Sequence, residues 1–226
     1  MIASGHQPNY VPWLGFFDKM RQCDVFVIED NVQFEQQGFM NRNRVKTFGG
    51  VRWLTVPVKH LGRPLSIDEI EIANDAEPDW ARRHWRTLKC NYSKAPFWDK
   101  YSDFFEGTYS REWQKLIDLN MHVIRGIMHF LGIDRRLVTA SSLGVSAKGS
   151  ELVLAQCKAL GAKVHLSGIR GRNYLNLESF QSSGIEVIFQ DFQYPVYPQL
   201  HGQFVLNLSV VDFLFCTGGE RWGDRD

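Results

Sequence analysis

A histidine set in a short polar run lies close to the start of the chain, in Gly5-His6-Gln7-Pro8-Asn9-Tyr10. An imidazole titrates near neutral pH and can take a proton from a reacting group. A carboxylate, Asp30, closes the apolar run Val25-Phe26-Val27-Ile28. Asn41, Arg42 and Asn43 stand together and offer amide and guanidinium donors. Such donors suit an oxyanion, a phosphate or a nucleotide-sugar pyrophosphate. Gln7, Asn9 and Gln33 are neutral partners for substrate hydroxyls. The set fits general-base chemistry beside an anion or a carbonyl oxygen. His6 is the candidate base, and Asp30 orients it or binds the substrate. Asn41, Arg42 and Asn43 position the substrate and stabilise charge on the carbonyl oxygen.

Each residue also has a purely structural explanation, and the residues alone leave both standing. His6 can cap a loop, Asp30 can cap a turn, Arg42 can pair with a surface acid and Gln33 can close a strand edge. His84, beside Trp80 in a helical pattern, is a packed helix histidine or a substrate contact. Ser167-Gly168 and Ser141-Ser142 are strand-end loops, where a glycine permits either a tight turn or close approach of a ligand. Tyr197 stacks on a sugar ring or fills the core. Asp212 is a helix-start acid, or a site residue if it lies buried near Arg42.

Positioning these groups requires strands and helices in alternation. Residues 2–5 read as a short strand, and 12–21 as a helix with Trp13, Phe16, Phe17 and Met20 on one face. The continuous apolar run 25–28 suggests a strand buried on both faces, as in a parallel sheet. Together these form a βαβ unit, with His6 and Asp30 at its two carboxyl ends. Residues 44–47 and 52–58 flank Phe48-Gly49-Gly50 and read as a hairpin, and 61–74 as loop and strand. The stretch from Pro78 to about Gly132 is helical throughout, an insertion or small subdomain. Alternation then resumes: strands near 137–140, 163–166 and 185–189, helices over 151–160 and 177–183. Tyr194-Pro195-Val196-Tyr197-Pro198 is extended. Ser209 N-caps a final helix over 210–216, before a frayed tail at 218–226. The expected fold is one α/β domain: a Rossmann-like, mostly parallel sheet with an inserted β-hairpin and a helical subdomain over about 78–132.

Bulk properties narrow the function classes. The 226 residues are 44% hydrophobic and 23% charged, ordinary for a soluble globular protein. A net charge of +1 argues against a nucleic-acid partner, since no global field attracts a phosphate backbone. Cys23, Cys90, Cys157 and Cys216 are widely spaced and form no zinc-knuckle or redox pair. His6, His60, His84, His122, His129, His165 and His201 show no helical metal-ligand spacing, so no metal is expected. No G-x-S-x-G elbow occurs. Neither a signal peptide nor an apolar stretch of membrane-spanning length is apparent, and the expected compartment is the cytoplasm.

One family pattern runs through nearly the whole chain. It comprises His6-Gln7-Pro8-Asn9-Tyr10, Pro12-Trp13-Leu14-Gly15-Phe16-Phe17 with Lys19, Asp30-Asn31-Val32-Gln33-Phe34, Asn41-Arg42-Asn43 and Trp53-Leu54-Thr55-Val56-Pro57. Further on come Trp80 with His84, Leu166-Ser167-Gly168, the segment Tyr194–Gln199 and the segment Leu208–Phe215. This ordered set resembles the WbqC-like protein family, although Glu29-Asp30 stands where the family pattern has two aspartates. The resemblance implies transfer of an acyl or aminoacyl group to an amine of an amino sugar or related metabolite, in O-antigen polysaccharide or natural-product biosynthesis. It implies a small-molecule substrate and, as donor arm, the phosphopantetheine of an acyl carrier protein. It also brings Lys19, His84, Ser167, Tyr197 and Asp212 into the candidate substrate-binding set. A more distant similarity is to the nucleotidyltransferase-type Rossmann-like superfamily that includes pantothenate synthetase, in which ATP is the cofactor. His6 has no second histidine three or four residues on, as that superfamily's phosphate-binding pair requires. A non-catalytic module binding a carrier protein or RNA through residues 41–46 is the remaining alternative.

Overall fold

The computed structural model describes residues 1–59 and 62–219. His60, the start of the segment 61–74 and the tail beyond Gly219 lie outside the described residues. In chain order the elements begin with β1 (Ile2–His6), α1 (Leu14–Arg21) and β2 (Val25–Ile28), then the hairpin strands β3 (Arg42–Thr47) and β4 (Gly50–Thr55). Three helices follow: α2 (Trp80–Tyr92), α3 (Trp98–Ser110) and α4 (Leu116–Phe130). Alternation resumes with β5 (Arg136–Thr139), α5 (Gly149–Leu160), β6 (Val164–Ser167), α6 (Leu177–Ser182) and β7 (Glu186–Phe189), before α7 (Val210–Thr217). The protein is therefore α/β, with a five-stranded parallel sheet and a separate two-stranded antiparallel hairpin.

Three helix starts differ from the sequence pattern, each for a local reason. α1 begins at Leu14 rather than Pro12, because Val11 holds φ at 37° and the chain is not yet helical there. α2 begins at Trp80, where the Asp79 carboxylate accepts a hydrogen bond from the Arg82 N–H, so Pro78 precedes the cap. α4 begins at Leu116 and not near Trp113. The backbone before it is engaged with a neighbouring segment: Ile72 N–H donates to Gln114 O at 2.9 Å, and Leu116 N–H to Ile70 O at 3.0 Å.

The chain divides into two compact units. The first comprises Met1–Gln7, Gly15–Val32 and Ile133–Gln193, and contains the parallel sheet. Its strand order is β5-β2-β1-β6-β7. β1 is central, and all four residues of β2 are buried, as expected of a strand covered on both faces. One face packs Ala3, Cys157, Ala162, Leu175, Phe180 and Ile185. Elsewhere in the unit, Phe16 meets Phe17 and Phe26 edge-on, each at 5.2 Å between ring centroids. Strands β1, β2 and β5 are laid outward in one direction, and β6 and β7 in the other. The order therefore reverses between β1 and β6, which defines a topological switch point at the carboxyl edge of the sheet.

The second unit comprises Pro8–Leu14, Gln33–Gly132 and the chain from Tyr194 onward. It contains the hairpin and helices α2, α3, α4 and α7. α2 buries Trp80, His84, Leu88 and Tyr92, a four-residue spacing that makes one helical stripe. α3 and α4 approach closely where Gly126 faces Phe104: a Cβ at Gly126 would lie 2.2 Å from the ring. Gly126→Ala should therefore cost about 1–3 kcal/mol by overpacking. The urea midpoint reports it, and an unchanged midpoint would mean that the ring yields freely. Among the described residues, no helix is long and apolar enough to cross a membrane.

Candidate functional site

The parallel register sets the site of the first unit. His6 pairs with Ile28, and Ser4 with Leu166, so His6, Glu29-Asp30 and Ser167-Gly168 all emerge at the carboxyl edge. His6 ends β1 and presents its ring edge-on to Phe16, at 5.2 Å between centroids. Its Nδ1 lies 2.9 Å from the Gln7 carbonyl oxygen. A carbonyl only accepts, so Nδ1 carries the proton and the neutral ring keeps its lone pair on Nε2. Burial and then the positive charge of Lys19 lower the His6 pKa to about 3, against a rise from the Gln7 hydrogen bond and with a lesser lowering by Arg170.

Lys19 projects from α1 into the same edge. Its Nζ donates to the Gly5 carbonyl at 2.7 Å and would stand 3.9 Å from a Cβ on Gly168. The ammonium thus reaches the ends of both strands that flank the switch point. Burial lowers its pKa to about 8, opposed by Cys23 and Glu29, so it remains mostly charged at neutral pH. The turn after β6 adds Arg170 and Arg172, both exposed, the latter with its guanidinium 4.2 Å from the Phe189 ring centroid. That turn is tightly built: a Cβ on Gly171 would meet the Ser167 Oγ at 2.0 Å. Ser167 itself is buried, and its hydroxyl donates to the Gly168 carbonyl at 3.1 Å.

Asp30 lies on the adjacent strand end, as its position after β2 requires, but its carboxylate is engaged. Oδ1 accepts from Ser141 N–H at 2.9 Å and Oδ2 from Ser141 Oγ at 2.6 Å, which ties β2 to the turn after β5. No hydrogen bond joins His6 to Asp30 among the described residues. The carboxylate with an oxygen to spare is its neighbour Glu29. Glu29 Oε2 accepts from Gln156 Nε2 at 2.8 Å, while Oε1 accepts no hydrogen bond from a described residue. Sequence reasoning passed over Glu29 and Arg170. The signal for Glu29 was its place at the end of the strand beside β1, and for Arg170 the glycine-containing turn that follows β6.

The other candidates lie in the second unit. The Asn41 amide donates to Val56 O at 2.9 Å. The Asn43 amide donates to the Tyr10 and Val11 carbonyls at 3.2 and 2.9 Å, and its Oδ1 accepts from Arg44 N–H. Arg42 donates to Gln37 O at 2.7 Å and lies 4.5 Å from the centre of the Trp53 ring. The basic cluster read from the sequence is further divided by Lys46, which is buried and directed to Gln199 Oε1 and the Gly202 and Gln203 carbonyls. Asn9 is buried and Gln33 exposed.

His84 is buried in an aromatic nest, its Nδ1 2.9 Å from the Tyr10 hydroxyl, which in turn meets Tyr109 Oη at 2.6 Å. Burial, with a smaller effect of Arg83, lowers its pKa to about 3. Asp212 is wholly buried and accepts from Tyr92 Oη at 2.8 Å and Tyr197 Oη at 2.9 Å. Burial raises the Asp212 pKa, and these hydrogen bonds and the charge of Lys46 pull it back. Among the described residues, no group of three or more His, Cys, Asp or Glu side chains is placed to hold a metal ion.

The two units thus carry different chemistry. The first gathers a neutral imidazole, a buried ammonium, a guanidinium and a half-free carboxylate at one sheet edge. The second commits most of its candidate side chains to backbone carbonyls and buried phenols.

Comparison with known proteins agrees with the sequence resemblance. An uncharacterized Mycobacterium tuberculosis protein, Rv1507c, is 35% identical over 217 residues, covering 95% of this chain and 93% of that protein. No solved structure matches. The sequence model of the WbqC-like protein family matches residues 7–222, and the chain belongs to that family.

Proposed function

We propose that this protein transfers an acyl or aminoacyl group to an amine, and that the activated donor is held through a phosphate at the switch point of the parallel sheet. The observation that carries this reading is the Lys19 ammonium held on the Gly5 carbonyl next to His6 where the strand order reverses, with Arg170 on the turn after β6 near enough for its charge to act on the ring. Two cations beside an uncharged base favour an anionic ligand whose reactive end lies next to His6. In the transfer, the amine nitrogen attacks the acyl carbon and a C–N bond forms. The bond to the leaving sulfur or phosphate oxygen breaks. The amine proton passes to His6 Nε2 and on to the leaving group. A phosphate on Lys19 and Arg170 offsets the charges that depress the ring. Donor binding therefore moves His6 upward, toward the range in which it accepts a proton.

The amine of an amino sugar or related metabolite is the acceptor that family membership suggests, and a carrier-bound phosphopantetheine is one donor that satisfies the phosphate requirement. A nucleotide is the other. The Rossmann-like strand order favours that second reading, an ATP-dependent ligase or nucleotidyltransferase.

Hydroxylamine tests both, because it replaces an unknown amine and traps the acyl group as a hydroxamate. The protein is incubated with acetyl- or glycyl-coenzyme A in one arm, and with an amino-acid mixture, ATP and magnesium in the other. Hydroxamate above the protein-free rate is expected in one arm, falling about a hundredfold in His6→Ala. Product in neither arm, or an undiminished rate in His6→Ala, contradicts the proposal.

A further inference from the structure

We propose that the ligand of the switch point is a ribonucleotide and that Glu29 reads its ribose, the free carboxylate oxygen accepting hydrogen bonds from the 2′- and 3′-hydroxyls; this rests on the phosphate reading above. Three observations carry it. First, Glu29 follows the last residue of β2, the strand beside β1 on the side opposite β6. In a doubly wound sheet a phosphate held at the switch point directs the attached ribose toward that neighbouring strand end, where an acidic side chain can take both hydroxyls.

Second, the carboxylate is oriented and incompletely used. Gln156 fixes Oε2, and Oε1 lies over the end of β1, 2.7 Å from where a Cβ on Gly5 would stand. Glycine at position 5 is what lets the carboxylate occupy that place, and a larger residue would push it away. Asp30 cannot substitute, since Ser141 takes both of its oxygens. Third, the surroundings suit a nucleoside. Burial raises the Glu29 pKa, and Lys19 is near enough for its charge to pull it back, so a phosphate-binding cation and a hydroxyl acceptor share this sheet edge. Tyr174, 54% exposed, is near enough for the Glu29 charge to help raise its phenol pKa. Its ring gives the same edge an aromatic surface for a base. A phosphopantetheine arm has no vicinal diol and makes no use of Glu29.

Calorimetric titration of the full chain with four probes tests this: magnesium ATP, magnesium 2′,3′-dideoxy-ATP, magnesium pyrophosphate and coenzyme A. Wild-type protein should bind ATP about tenfold or more tightly than dideoxy-ATP. In Glu29→Ala the two nucleotides should bind alike, while pyrophosphate binds as well as to wild type or better, because a nearby negative charge is gone. Glu29→Gln keeps an acceptor for Gln156 and guards against loss of fold. It should lose most of the discrimination while its melting temperature stays near that of wild type. Equal affinity for ATP and dideoxy-ATP, with pyrophosphate still bound, overturns the ribose assignment and leaves the phosphate site standing. Coenzyme A binding more tightly than ATP also overturns it. Failure of all four probes to bind overturns the phosphate reading itself.

Discussion

Lys19→Met should weaken pyrophosphate binding by roughly ten- to a hundredfold, the loss expected when one charged hydrogen-bonding partner of about 1.5–3 kcal/mol is removed. Met keeps the length and apolar body of the side chain, so the packing of α1 should survive. The same substitution has a second readout that a merely structural role would not produce. The Lys19 charge is one of the causes that hold His6 near a pKa of about 3. Removing it should move that pKa upward, as followed through the His6 ring signals in an NMR titration. Binding lost with the ring unmoved would mean that Lys19 acts at a distance from His6. A moved ring with full binding would mean that Lys19 does not hold the anion.

The second large effect is on stability in mild acid. Burial above all lowers His6 and His84 to about 3 and His165 to about 4, from the ordinary imidazole value of 6.5. The folded rings resist protonation, whereas the unfolded chain takes up a proton at each below about pH 6.5. Their contribution is therefore complete above that pH and is lost as the pH falls toward the folded values. At pH 5 each ring is expected to cost about 2 kcal/mol relative to neutral pH. Glu29 and Asp212 work the other way, because their folded pKa values are raised and the folded state takes up protons more readily. The three rings are expected to outweigh the two carboxyls, giving a net loss of stability between pH 7.5 and pH 5. Urea denaturation at the two pH values measures it, and a midpoint that holds or rises on acidification would contradict the buried-neutral assignment.

The parts of the fold legible in the sequence were those with a short-range cause. Val25–Ile28 is an unbroken apolar run because β2 is covered on both faces, and the strand ends at His6, Asp30 and Ser167 followed from such runs. The helix stripes of α2 and α4 were legible for the same reason, although their first turns were not. Asp79 and the 113–116 backbone are governed by capping and by pairing with a distant segment. The site was legible less well, because its decisive relations are long-range. Asp30 stood out as the strand-end acid of the family pattern, yet Ser141, far along the chain, claims both its oxygens. Its neighbour Glu29 keeps one free because Gln156 takes only the other. Lys19 entered the candidate set only through the family pattern, and only the close approach to Gly5 and Gly168 shows where its ammonium lies. Residues 41–46 read as one basic face, but Arg42 is stacked on Trp53, and Lys46 is buried against the chain at 199–203.

Titrating isotope-labelled protein with pyrophosphate, followed by backbone amide shifts, tests whether the sheet edge holds the anion. Saturable shifts are expected at Gly5, His6, Gly168 and Gly171, at both strand ends that flank the reversal, and are expected to be lost in Lys19→Met. Shifts confined to other regions, such as the β3–β4 hairpin, or none at all, would contradict it.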